Sequence, residues 1–288
     1  MKISIGFEMA RGLFSGDMER AAREIKAAGF DGVDIAFYES PLEQVAIKQW
    51  AAEVQQESEI IRNAGLEISQ SHLHYQPSHE QLGDGSYDVF EHVFFPVWLR
   101  EIQMCDKIGC RTTVAHLYFC DDPQKTIDGN MRLLEKLLPQ LQRHNVTLAI
   151  ENIYGWGEQY ADCGTTTSAQ IMKYIDAFNS EYIGACLDSG HAVCTGNDPL
   201  QMARDFGKKL RVVHINSSSG RDTHLLPGML PSWIDPTDFF SLSNELKKAG
   251  FAGAYNLEVF PGNFPSEPEI GQAYLTLAAR LAKRFAKV

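Results

Sequence analysis

Basic residues are scarce in this chain. Its 26 Lys and Arg stand against 37 Asp and Glu, a formal charge of -11 over 288 residues. Nucleic acid and anionic membrane surfaces need clustered cations, so neither is expected as a partner. A bound divalent metal would offset part of the deficit locally. Cysteine is also sparse. The six, at 105, 110, 120, 163, 186 and 194, form no C-x-x-C pair and no dense spacing, which excludes a disulfide scaffold and leaves reduced packing residues. No apolar run approaches transmembrane length, and MKISIGFEMARG is too short in its apolar part for a signal peptide, so a cytoplasmic enzyme without a membrane partner is expected. No low-complexity or Pro/Gly/Ser-rich stretch marks a linker. With 44% hydrophobic and 22% charged residues, the chain can bury a large core as one domain over residues 1–288.

What recurs is helix-forming sequence, then Gly, then a short apolar run. AAREIKAAG ends at Gly29, IIRNAG at Gly65, MCDKIG at Gly109 and ELKKAG at Gly250, each Gly suited to the left-handed turn that stops a helix. Reading the remaining units alike predicts strands near 2–7, 32–38, 66–72, 111–116, 147–151, 182–188, 210–215 and 253–259. Helices are expected near 17–28, 50–64, 89–108, 126–143, 167–178, 198–207, 237–249 and 270–286. Alternation on this scale implies an α/β fold with parallel strands and right-handed crossovers. The first strand is followed by no Gly-rich phosphate fingerprint, which favours a single (β/α)8 TIM barrel over an open nucleotide-binding sheet. Two long connections, ESPLEQVAIKQW and YQPSHEQLGDGSYDVFEHVF, are expected as walls or lids above the barrel mouth. Phe90, Phe94, Phe95 and Trp98 read as helix-to-barrel packing, with a homo-oligomer contact as the alternative.

The stretch LRVVHINSSSGRDTHLLPG, Leu210 to Gly228, shows what the strands deliver. An apolar β-branched run stops at His214, and Asp222 and His224 follow on the next loop. A barrel gathers its active site where the strands' carboxyl ends meet. There the chain places His72 and His74, then His116, Glu151, Asp188 with His191, His214, and Glu258, on six consecutive predicted strands. Each has a plain structural reading: a satisfied histidine, an ion-pair partner, or, for Asp188, a helix cap. Together the four carboxylates, Asp222 included, would repel one another by several kcal/mol at low effective dielectric without a cation. Mixed imidazole and carboxylate donors suit Zn²⁺ or Mn²⁺, with Co²⁺ a third option, better than Ca²⁺ or Mg²⁺.

The segments IENIYG, LDSGHA, HIN…RDTHLLPG and LEV together resemble the xylose-isomerase-like TIM-barrel superfamily, which holds sugar and sugar-phosphate isomerases and epimerases and also endonuclease IV. That resemblance implies a central metal site of Glu151, Asp188, His214 and Glu258. It matches His72, His116, His191, Asp222 and His224 to the extra positions of a multi-metal cluster in the endonuclease branch. The expected activity is isomerisation or epimerisation of a sugar or polyol, phosphorylated or not, by proton abstraction beside a metal-bound carbonyl, with Glu151 and Glu258 as the acid–base pair. His72, His116, His191 and Arg221 would then meet substrate, and Trp156 would wall it. The alternatives are an endonuclease IV-like phosphodiesterase, a polyol or keto-acid dehydratase, and a barrel that only binds sugar or metal. Against the first, Thr223 stands where the endonuclease pattern carries Arg, and EQLGDGSYD and CDDP near the mouth are acidic.

Overall fold

Each strand of this protein is a short run buried on both faces, and such strands need helices outside and side chains inside. In order they are β1 (Ile3–Gly6), β2 (Gly32–Ala36), β3 (Glu67–His72), β4 (Thr112–Ala115), β5 (Thr147–Glu151), β6 (Ile183–Asp188), β7 (Leu210–Ile215) and β8 (Tyr255–Leu257). A computed structural model, which describes residues 1–46, 48–75, 87–120, 122–154, 163–262 and 267–287, shows all eight pairing in parallel. Pairing of Ile3 with Tyr255 and Ile5 with Leu257 closes the sheet into the barrel.

The helices are α1 (Phe7–Gly12), α2 (Met18–Ala28), α3 (Lys48–Asn63), α4 (Tyr87–Lys107), α5 (Pro123–His144), α6 (Ser168–Phe178), α7 (Ser189–Cys194), α8 (Pro199–Phe206), α9 (Phe239–Lys248) and α10 (Pro268–Ala286). Gly29 ends α2 at φ 98°, and Gly65, Gly109 and Gly250 also take positive φ, so the punctuation expected of these four residues is present. Caps are equally explicit at the other ends. Asp17, Asp122, Thr167, Asp198 and Asp238 each accept from backbone N–H groups of the helix they begin.

Most of the core lies between barrel and helices. Phe90, Phe94 and Trp98 are fully buried, with Phe90 stacked on Phe94 at 4.9 Å, which is the packing role expected of that aromatic cluster. Inside the barrel, Val114, Ala149, Cys186 and Val212 form a separate small cluster. Side chains alternate along a strand, so these four lie one layer beneath His116, Glu151, Asp188 and His214. Of the two long connections, the first contributes short 3-10 turns at Phe37–Glu39 and Leu42–Ala46. Residues 76–86 of the second, with EQLGDGS, lie outside the described residues, and the rest begins α4 at Tyr87. Among the described residues no helix is long and apolar enough to cross a membrane.

Candidate active site

Glu151 is the last residue of β5, is 1% exposed, and sends its two oxygens in different directions. Oε1 lies 3.0 Å from His214 Nδ1; Oε2 lies 3.0 Å from His116 Nε2 and 3.2 Å from His72 Nε2. The two imidazole nitrogens are themselves only 3.3 Å apart. On the other side, Glu258 Oε2 also lies 3.0 Å from His214 Nδ1. One ring nitrogen carries at most one proton, so it cannot hydrogen-bond both carboxylates.

Asp188 ends β6 and begins α7, and both of its readings hold at once. Its Oδ1 accepts from the His191 backbone N–H at 2.6 Å, as a helix cap does, and Oδ2 accepts from Asn216 Nδ2 at 2.8 Å. Asn152 fixes the strand end itself, donating to the Asp188 carbonyl and accepting from its N–H. The loop after β7 is buried at residues 216–218 and again at His224, with an exposed tip at residues 219–222, because it doubles back. Ser217 and Leu225 exchange two backbone hydrogen bonds, at 2.8 and 3.0 Å, and His224 adopts a positive φ of 42°. This returns Asp222 and His224 to the mouth, where Asp222 Oδ1 lies 2.6 Å from His224 Nε2 and 3.5 Å from His191 Nε2. His224 Nδ1 faces the Glu258 carbonyl at 3.0 Å, and His191 Nδ1 faces the Asn152 carbonyl at 3.0 Å.

The donor set fits a divalent cation. Ligand atoms of Glu151, Asp188, His214 and Glu258 lie within 4.8 Å of one another, while bonds of about 2.0–2.3 Å hold donors about 3–4.5 Å apart around one ion. His72, His116 and Glu151 meet the same limit, as do Asp188, His191 and His224. Titration behaviour points the same way. Burial works against charge on His214, yet Cys186, Glu258 and Glu151 beside it hold its pKa well above the ordinary imidazole value. His224, also opposed by burial, is raised to about 9 by Glu258, Asp222 and Asp188. Burial pushes the Glu258 carboxyl up, but His214 and His224 outweigh it and bring it down to about 2. Asp188 is raised to about 6, chiefly by burial. Protons on imidazoles supply the positive charge that these carboxylates require.

Residues 22–280 match the family described as the xylose isomerase-like TIM barrel. The chain belongs to that family. Among solved structures, a D-psicose 3-epimerase from Clostridium cellulolyticum H10, bound to D-tagatose, superposes with a TM-score of 0.77 over 99% of each chain at 11% identity. A D-tagatose 3-epimerase-like protein gives 0.75 at 15% identity, over 100% of this chain and 98% of that one. At such identity these two share the fold. By sequence, a probable endonuclease 4 of Sulfurihydrogenibium sp. (strain YO3AOP1) is 26% identical over 147 residues, 44% of this chain and 50% of its own length. An uncharacterized protein of Sinorhizobium fredii (strain NBRC 101917 / NGR234) is 25% identical over 135 residues, 44% of this chain and 41% of its own. The chain thus spans about half or less of the length of these curated relatives.

In this xylose isomerase-like barrel Glu151, Glu258, Asp222 and the histidines His72, His116, His191 and His224 line a cavity of about 350 Å³ at the strands' carboxyl ends, while Asp188 and His214 are fully buried and outside its lining. Its walls are aromatic: Tyr38, Tyr75, Phe119, Tyr154 and Phe260. The sequence reading missed all five, although a pattern marks them. Each stands two or three residues beyond a strand-end position, Tyr75 after His72, Phe119 after His116, Tyr154 after Glu151, Phe260 after Glu258 and Tyr38 after Ala36. Among the described lining residues there is no Lys or Arg. Arg221, expected to meet substrate, is instead exposed and absent from the lining. The turn that returns Asp222 to the mouth leaves its neighbour facing solvent, held by its carbonyl to Ser218 Oγ at 2.7 Å. Trp156 lies outside the described residues. His74, two residues past His72, is a buried structural group: its ring faces the Glu101 carboxylate and the Ser40 carbonyl.

Proposed function

We propose that this protein is a divalent-metal-dependent isomerase or epimerase of a small uncharged sugar or polyol. Glu151, Asp188, His214 and Glu258 would hold the ion, whose chemistry would be to polarise a substrate oxygen and acidify the neighbouring C–H. Glu151 and Glu258 reach the cavity from β5 and from the end of β8, and would take up and return the carbon-bound proton. Their surroundings differ: Glu151 is enclosed by His72, His116 and His214, whereas Glu258 meets His214 and His224 and is partly open to the cavity. Two carboxylates so differently paired can hold a proton with unequal strength, as acid–base exchange requires. The aromatic walls suit the apolar faces of a sugar. His72, His116 and His191 would contact substrate hydroxyls.

The observation that carries this reading is the cavity itself, with the carboxylates of Glu151 and Glu258 at its floor and no Lys or Arg among its described lining residues for a phosphate. Likeness in fold to sugar 3-epimerases supports it. One observation favours a second reading. The groups around His72 and around His191 offer more donors than a single ion uses, which suits hydrolysis of a phosphodiester by a multi-ion cluster, and the curated endonuclease 4 relative agrees. A screen of unphosphorylated ketoses and polyols in D₂O, with Zn²⁺, Mn²⁺ or Co²⁺ added, separates the two. Solvent deuterium entering carbon is expected. Absence of exchange with every sugar, together with metal-dependent cleavage of a model phosphodiester, would replace the first reading by the second.

A further inference from the structure

The layer of side chains directly under the ligands is divided by strand. On β4 to β7 it is apolar: Val114, Ala149, Cys186 and Val212. On β8, β1, β2 and β3 the corresponding residues are Asn256, Ser4, Asp34 and Gln70, all buried. They bond to one another: Ser4 Oγ donates to Asn256 Oδ1 at 2.7 Å, and Gln70 Nε2 donates to Asp34 Oδ2 at 3.0 Å, with Asn256 Nδ2 3.4 Å from the same oxygen. Burying a carboxylate here is costly, and among the described residues Asp34 Oδ1 has no hydrogen-bond partner. Structural need alone does not call for a charge in a layer whose other half is hydrocarbon and thiol.

What the polar half faces is the back of His214. The Nδ1 side of that ring lies against Glu151 and Glu258, so an ion shared with them must take the Nδ1 lone pair. The ring proton then has to sit on Nε2 and needs an acceptor. Nε2 points at the Asp34–Gln70 pair, 3.7 Å from Asp34 Oδ2 and 2.9 Å from Gln70 Nε2. An amide N–H₂ cannot accept that proton, whereas the carboxylate can, after a movement of less than about 1 Å to ordinary hydrogen-bond distance. We infer that Asp34 is a positioning residue that accepts the Nε2 proton of His214 and so fixes the tautomer whose Nδ1 is free to bind metal. Gln70 anchors the Asp34 carboxylate, its amide donating to Oδ2 at 3.0 Å. Such outer partners orient a ligating imidazole and raise its basicity.

This inference rests on the metal-binding reading above, and its test separates the two. Zn²⁺ affinity is measured by competition with a chromogenic chelator for the parent, Asp34→Asn and Asp34→Ala, alongside thermal melting of the three metal-free proteins. Expected is a loss of affinity of roughly 10- to 100-fold in both variants. Metal-free stability should be unchanged or higher, because a buried carboxylate with only one of its two oxygens hydrogen-bonded among the described residues is removed. A merely structural Asp34 gives the opposite split, lower metal-free melting with unaltered affinity, and overturns the inference. Should the variants fail to fold, long-range ¹H–¹⁵N spectra of Zn²⁺-loaded, histidine-labelled parent still decide the matter. A proton on Nε2 of His214 is expected; one on Nδ1 overturns the inference. A parent that binds no divalent ion overturns both readings, while a parent that binds it as tightly as Asp34→Asn overturns only this one.

Discussion

On the proposed mechanism Glu151 and Glu258 would each hold an ion and move a proton, and glutamine separates these duties. It keeps the shape and one coordinating oxygen but cannot accept a proton at neutral pH. Glu151→Gln and Glu258→Gln should each slow exchange of the substrate's carbon-bound proton by about 10²-fold or more, with metal content measured in the same samples. A metal-replete Glu258→Gln protein that exchanges at the parental rate would remove Glu258 as base, and the same result at Glu151 would end the two-carboxylate mechanism. A second residue-scale test concerns Asp188, whose Oδ2 depends on Asn216. A Cβ placed at Gly190 would come within 1.9 Å of Asn216 Oδ1, closer than packing allows. Gly190→Ala should therefore displace Asn216 and destabilise the protein by about 1–3 kcal/mol in denaturant unfolding, with lower metal occupancy. Unchanged stability and occupancy would mean that Asn216 is not what fixes Asp188.

At the scale of elements, the strands and long helices were legible because four units repeat one pattern, a helix closed by Gly and then a short apolar run. Gly65 before β3 and Gly109 before β4 are examples. The rest could be read alike, Asn145 and Asn179 taking the glycine's place after α5 and α6. The six-residue helices α1 and α7 were not legible. They are too short for an apolar period to show, and α7 exists because Asp188 caps it. In the site, the strand-end donors could be read from position; the aromatic walls carry a positional pattern too, two or three residues past each strand end, but packing and lining aromatics look alike in sequence. Arg221 lies outside the cavity lining for a local reason, the reversal between Ser217 and Leu225. Strand ends also supply a prediction. His72 and His116, from β3 and the end of β4, touch only one oxygen of Glu151, the one turned away from His214. On the favoured reading, His72→Ala and His116→Ala raise KM with the central ion retained. Loss of all metal and activity in either would show instead that β3 and β4 carry part of a multi-ion cluster, and hydrolysis would become the leading chemistry.

For the whole molecule the deciding quantity is charge. A duplex presents about one negative charge per 1.7 Å of axis, and proteins that hold it spend many Lys and Arg on phosphates. This chain has a net charge of -11, and among the described lining residues of its cavity Glu39, Glu151, Asp222 and Glu258 are met by no Lys or Arg. A multi-ion cluster could neutralise a phosphate at the floor, but not the flanking phosphates of a duplex crossing the rim. An abasic-site duplex incubated at low salt with Zn²⁺ or Mn²⁺, where electrostatic attraction is strongest, should therefore remain intact. Contaminating nuclease is controlled by Asp188→Ala, prepared in parallel. Cleavage equal in both preparations leaves the prediction standing. Efficient incision by the parent that disappears in Asp188→Ala would overturn it, and would place the reaction on a phosphodiester despite the acidic surface.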